Sequence, residues 1–143
     1  MITTADLISQ RLYDILLAAP GRPADLLDAQ ILDHPDLPVN PSELPVVAVY
    51  LVEGDTPSGH QSALSTQRAC TVAIEIKVLA EHPLRGTQPF RAWVLAAIED
   101  DETLGGLVDE TIYQGFKPFG SVKDGWLAGA ILTLEPHYLW RSS

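Results

Sequence analysis

Residues 69–79 alternate without a break. Cys70, Val72, Ile74, Ile76 and Val78 fall on one side of an extended chain, and Thr71, Ala73, Glu75 and Lys77 fall on the other. A period of two marks a β-strand with one apolar face and one more polar face. Residues 126–140 repeat the pattern, with Ala128, Ala130, Leu132 and Leu134 in phase. Strands this long do not stand alone. They require a sheet and an apolar layer to cover it.

Two segments have the spacing to supply that layer. In residues 5–19, Ile8, Leu12, Ile15, Leu16 and Ala19 recur at helical spacing, while Gln10, Arg11 and Asp14 face away. Thr3 or Thr4 is placed to cap this helix, Asp6 suits its positive end, and Pro20-Gly21 stops it. In residues 88–100, Phe90, Trp93, Val94, Ala97 and Ile98 form the second stripe, with Pro89 in the first turn. Glu99, Asp100, Asp101 and Glu102 oppose the dipole at its C-terminus. The helix is therefore expected to end near Asp100, with Asp101 or Thr103 capping a short extra turn to Gly105-Gly106.

Further strands are expected at residues 45–52, apolar on both faces and so inside the sheet or beneath a partner subunit, and at residues 108–116. Residues 29–32 suit one short edge strand. Pro136 argues for an edge position, or a bulge, near the end of the last strand. Residues 53–67 and 115–125 are rich in Gly, Pro and small polar residues and read as two mobile loops. Residues 82–86 read as a turn. The expected fold class is α+β: a mostly antiparallel sheet of four to five strands with two helices packed on one face. Residues 1–143 form a single domain, with a Pro-rich wrapping segment at about 20–45 that holds Pro20, Pro23, Pro35, Pro38, Pro41 and Pro45.

Composition narrows the partners. Nineteen acids against nine bases give a formal charge of −10, which disfavours free nucleic acid and anionic membranes as main partners. A hydrophobic fraction of 46 % and a charged fraction of 20 % suit a globular chain with a core. Cys70 is the single cysteine, so no internal disulfide or multi-Cys zinc site is available. No apolar run reaches the roughly 20 residues that span a bilayer. The first residues lack the basic and apolar regions of a signal peptide, so the chain is expected to be made and kept in a cytoplasm.

Catalytic patterns are not apparent. His34, His60, His82 and His137 lie far apart, without helical metal-ligand spacing. Cys70 sits on the apolar side of a strand and reads as a packed core residue. Ser58, in Pro57-Ser58-Gly59-His60, lacks the Gly-x-Ser-x-Gly elbow. Gly105-Gly106 has no phosphate-cradling context. The acids at 99–102 read as a solvated helix end rather than a convergent cation site. Phe116, Phe119, Trp126, Tyr138 and Trp140 border loops or the last strand. Such residues pack loops, and they also anchor interfaces. No catalytic residue, cofactor or metal site is expected, and the chain is read as a non-enzyme.

The order of these segments resembles the minor tail protein U family, the tail terminators of long-tailed bacteriophages. The likeness is carried by the N-terminal helix ending in a Pro/Gly loop and by the strand Leu44-Pro45-Val46-Val47-Ala48-Val49-Tyr50-Leu51. It continues through Ala73-Ile74-Glu75-Ile76-Lys77-Val78, the Ala92-Trp93 helix, the Gly-Gly turn, and residues 112–119 with Gly115. Asp124-Gly125-Trp126 then leads into the last strand. The segment at 29–40 and the tail at 137–143 fit the pattern less well.

The resemblance implies a ring-forming structural protein, usually a homo-hexamer. Such a ring caps the tail tube protein, stops its polymerisation and offers a surface to head-completion or neck proteins. DNA passes through the channel without specific binding. The location implied is the tail-neck of a virion or prophage particle assembled in the host cytoplasm. Glu53, Gly54, Asp55, His60 and Gln61 are the expected contact loop toward tube or neighbour, and Phe116, Phe119 and Trp126 the expected subunit interface. Because like-charged copies repel, Mg²⁺ or salt is expected to favour ring assembly. Two other readings stay open: another neck subunit, such as a head-completion or adaptor protein, and a small-molecule-binding domain or enzyme. The second requires a deep pocket with convergent polar groups and a perturbed titrating residue.

Overall fold

A computed structural model describes residues 3–35, 41–57, 67–120 and 127–139. The first helix, α1 (Thr4–Ala18), opens on a reciprocal cap. The Asp6 backbone N–H donates to Thr3 Oγ1 at 3.1 Å, and the Thr3 N–H donates to the Asp6 carboxylate at 3.2 Å. The Thr3 hydroxyl also donates to Asp6 Oδ2 at 2.8 Å. That bond first, and the Thr3 N–H second, hold the Asp6 carboxyl below the usual carboxylate range. Ala5, Ile8, Leu12 and Leu16 fall on one side and are buried. Full burial is worth roughly 1.5–3 kcal/mol for each large aliphatic residue, so this stripe fixes the helix to the sheet.

The chain then passes through two short 3₁₀ turns, Asp28–Gln30 and Pro41–Glu43, either side of a two-residue strand, β1 (Ile31–Leu32). The longer strands are β2 (Val46–Pro57), β3 (Gln67–Leu79), β4 (Glu110–Gly120) and β5 (Leu127–Leu139). They form one five-stranded sheet in the order β1-β2-β3-β5-β4. Among the described strands β1 and β2 are parallel, and every other pair is antiparallel. The α+β class with a mostly antiparallel sheet is therefore the observed one.

The core lies on one side of this sheet. Val47 and Val49 of β2, Cys70 to Val78 in alternation on β3, and Ala128 to Leu134 in alternation on β5 pack with α1. The second helix, α2 (Pro83–Glu99), joins them through Phe90, Trp93, Val94, Ala97 and Ile98. Both helices thus cover the same face, as the period-two pattern requires. Cys70 is buried there.

Several boundaries differ from the sequence expectation. Helix α2 begins at Pro83, not near Gln88, because Pro83 takes the first helical position, where its missing N–H costs nothing. Pro89 is then inside the helix, and residues 83–86 are helix rather than turn. Gly86 makes this start possible: a β-carbon there would meet the Ala80 β-carbon at 2.5 Å. After Glu99 the chain turns as expected, with Asp101 accepting from the Gly105 N–H at 2.9 Å and Thr103 Oγ1 accepting from the Gly106 N–H at 3.2 Å.

Strand β2 continues through Glu53, Gly54 and Asp55 to Pro57, so these residues are strand and not loop. Two irregularities, between Leu51 and Glu53 and between Glu53 and Thr56, absorb the glycine-containing stretch while pairing with β3 is kept. Strand β4 likewise runs through Lys117 and Pro118 to Gly120. Gly115, at φ +99°, forms the irregularity between Tyr113 and Phe116 that lets it do so. Pro136 does not mark an edge, since β5 lies between β3 and β4. Pairing of β5 with β3 lapses between Ala69–His137 and Val72–Leu134, and that gap accommodates a residue with no N–H to donate.

Candidate functional site

The sheet face without helices is not an ordinary solvated surface. Lys77 points to this side and is only 4 % exposed. Its ammonium lies 2.6 Å from Glu75 Oε1, two residues back on the same strand. The Tyr50 hydroxyl, from β2, donates to Glu75 Oε2 at 2.7 Å. One carboxylate therefore ties an ammonium and a phenol together across two strands. Burial, then the hydrogen bond and charge of Glu75, push the Tyr50 phenol up to about 12. Val46, Ala48 and Ala73 are also buried on this face. Farther along, His137 Nε2 lies 2.7 Å from Glu135 Oε1.

Phe116 and Phe119 sit on opposite faces of β4. Phe116 pairs with Leu132, packs at the edge of the core and carries the Arg91 guanidinium 4.1 Å above its ring. Arg91 is itself held by Thr87 Oγ1 at 3.0 Å and the Leu84 carbonyl at 2.6 Å, so this arginine ties α2 to β4. Burial raises the nearby Tyr113 phenol above its ordinary value, with the Arg91 charge opposing. Phe119 pairs with Gly129 and lies across it on the helix-free face. Of the expected contact residues, Glu53 is exposed and Gly54 half-buried, both in β2, and Asp55 belongs to the same strand. His60, Gln61 and Trp126 lie outside the described residues, as does Ser58.

The sequence places Glu75 and Lys77 on the more polar face of their strand but does not join them to Tyr50. The signal was present in a carboxylate and an ammonium at alternate positions of a strand, facing a phenol from a neighbouring one.

Cavities are shallow in chemistry. One of about 320 Å³ is lined by Thr4, Gly106, Leu107, Val108, Asp109 and Leu139. Another, of about 230 Å³, lies between the ends of the two helices, against Ile15, Ala18, Ala19, Pro20, Ala97, Asp100 and Asp101. Neither brings together an acid and a base at hydrogen-bond distance among the described residues. No group of three or more His, Cys, Asp or Glu side chains positioned for a metal ion occurs among the described residues. None of the described helices is long and apolar enough to cross a membrane.

The free edges of the sheet are the other distinctive feature. Among the described residues no strand lies beyond β4, and β1 covers β2 only at Val47 and Ala48. Exposed apolar side chains lie along both edges: Val52 on β2, at 60 % exposure, and Ile112 and Tyr113 on β4, at 40 % and 37 %. Exposed apolar groups on unpaired strands are the usual substrate of strand-to-strand association.

No protein-family model matches this sequence, and no curated protein matches it. Among solved structures, the chain is similar to a component of the virion of a native gene transfer agent particle. The two share 14 % sequence identity and superpose with a TM-score of 0.55, over 91 % of this chain and 93 % of the other. The likeness is one of fold, and it spans nearly the whole of both chains.

Proposed function

We propose that this chain is a structural protein of a phage-like virion, and that within it the chain is the tail terminator. The observation that carries the virion reading is the fold shared end to end with a virion component. A fold likeness of this kind does not choose among virion roles. The finer reading is supported by the ordered resemblance to the minor tail protein U family, and by a sheet whose two edges are, among the described residues, open and partly apolar.

In this reading copies assemble into a ring, a homo-hexamer, on the end of the tail tube. Capping needs no reaction. It needs a closed surface that fits the last layer of tube protein and leaves nothing for the next layer to add to. The opposite face then receives the head-completion protein, and DNA passes through the channel. A net charge of −10 per copy suits a channel along which DNA slides without sticking.

Deleting the gene in a particle-producing host and measuring tails by electron microscopy tests this. Loss of a terminator leaves overlong tails without heads. Tails of normal length that fail to join heads indicate instead a head-completion or adaptor subunit, and normal particles overturn the virion role.

A further inference from the structure

The registers of the sheet, followed row by row, show where its edges are open. One row runs Pro118–Ala130–Ile76–Val47–Ile31 and is filled from β4 to β1. A higher row runs Tyr113–Leu134–Val72–Leu51 and ends there, because β1 does not reach it. A row higher still runs Glu110–His137–Ala69–Thr56 and ends the same way. So, among the described residues, the β2 edge is closed at the level of Pro118 and open at the level of residues 110–113. On the other side, Pro118 of β4 stands at the closed level and has no N–H to give.

Three observations thus coincide at one height of the sheet. Both edges are open there among the described residues. Val52 stands next to Leu51 in the row of Tyr113, so the exposed Val52, Ile112 and Tyr113 lie level with one another. Strand polarity also agrees: β2 is antiparallel to β3, β3 to β5 and β5 to β4, so β4 runs opposite to β2. A second copy placed beside the first in the same orientation therefore brings its β2 antiparallel to β4, the more stable pairing.

We infer that the occupant of each open edge is another copy of this chain: residues 110–114 of β4 pair with residues 51–56 of β2 in the next copy. Each copy gives one edge and receives the other, a head-to-tail contact that closes into a ring when the rotation allows. This rests on the self-assembling role proposed above and supplies its contact. Glu110 on one edge lies two rows of the sheet from Glu53 on the other, so the contact is opposed by charge and favoured by backbone pairing and apolar burial.

Cross-linking distinguishes this contact from others. The double variant Val52→Cys/Ile112→Cys, treated with a short bismaleimide in moderate salt with Mg²⁺, is expected to give a ladder of dimers, trimers and higher species on a denaturing gel. Either single variant is expected to give no ladder beyond a dimer, Cys70 being buried. Val52→Lys/Ile112→Lys, both at exposed positions, is expected to keep the wild-type circular dichroism and lose the oligomer in sedimentation. Wild-type oligomers with no ladder from the double variant overturn the edge contact and leave the ring reading standing. A chain that stays monomeric across the salt and Mg²⁺ range, with no ladder, overturns both.

Discussion

The Lys77 ammonium lies 2.6 Å from Glu75, with the two side chains 5 % and 13 % exposed. Removing one member of a buried pair leaves a charge without its counter-ion, which costs about 3 kcal/mol or more. Lys77→Met and Glu75→Leu are each expected to lose about 3 kcal/mol in urea unfolding. The double variant is expected to lose much less than the sum, because neither charge remains. Its residual cost comes from the Tyr50 hydroxyl, which has lost its acceptor. Additive losses would mean that the pair is not coupled.

Tyr50 gives the sheet a dependence on alkaline pH. Its phenol has an ordinary value of 10 and is pushed up to about 12 in the folded chain. The folded state therefore holds this proton more tightly than the unfolded state. The stabilisation is complete below pH 10 and is lost as pH rises through 12. Tyr50→Phe is expected to lower stability by about 1.5 kcal/mol at neutral pH, through loss of the bond to a charged acceptor. It is also expected to flatten the decline between pH 10 and pH 12 relative to the parent chain. Parallel curves for the two proteins over that interval would refute the assignment.

Phe119 covers Gly129 so closely that a β-carbon on residue 129 would fall 2.2 Å from Cζ of the ring. Gly129→Ala must push the ring aside, and the chain is expected to lose about 1–2 kcal/mol. The displaced atoms are the far end of a side chain, so a smaller residue at 119 relieves the clash. Gly129→Ala in a Phe119→Leu background is expected to cost less than in the parent, read as the shift in urea midpoint. An equal cost in both backgrounds would mean that the strain lies in the backbone of β5.

Legibility from sequence followed the strength of the local pattern. The alternating runs of β3 and β5 and the apolar stripes of both helices could be read because each buries one face against the same core. The distal part of β2 could not. Gly54, Asp55 and Pro57 have turn-like chemistry, yet the chain pairs with β3 through two irregularities that no composition reveals. Gly115 and Pro118 misled in the same way in β4, where an edge position tolerates a proline. Pro136 misled in the opposite direction, since a gap in pairing on one side lets it sit inside the sheet. The Lys77–Glu75–Tyr50 cluster needed the register of β2 on β3, which a single sequence does not give. Phe116, expected at a subunit interface, stacks under Arg91, and the exposed apolar residues Val52, Ile112 and Tyr113 carry no local pattern that marks them as edge positions.

Assembly should depend on ionic strength in a way that identifies the contact. Six copies at −10 each carry about −60, and the edges proposed to meet bring Glu110 within two rows of Glu53. Screening shortens the reach of such repulsion to about 10 Å at 0.1 M salt and about 3 Å at 1 M. Sedimentation velocity is expected to show oligomers gaining on monomer as salt rises, and at lower total ionic strength when a few millimolar Mg²⁺ is present. Glu110→Lys turns a repulsive contact into an attractive one without touching the core, since residue 110 is exposed. This variant is expected to assemble at lower salt than the parent. If instead Glu110→Lys and the parent follow the same salt curve, residue 110 is far from any neighbour and the edge of β4 is not where copies meet.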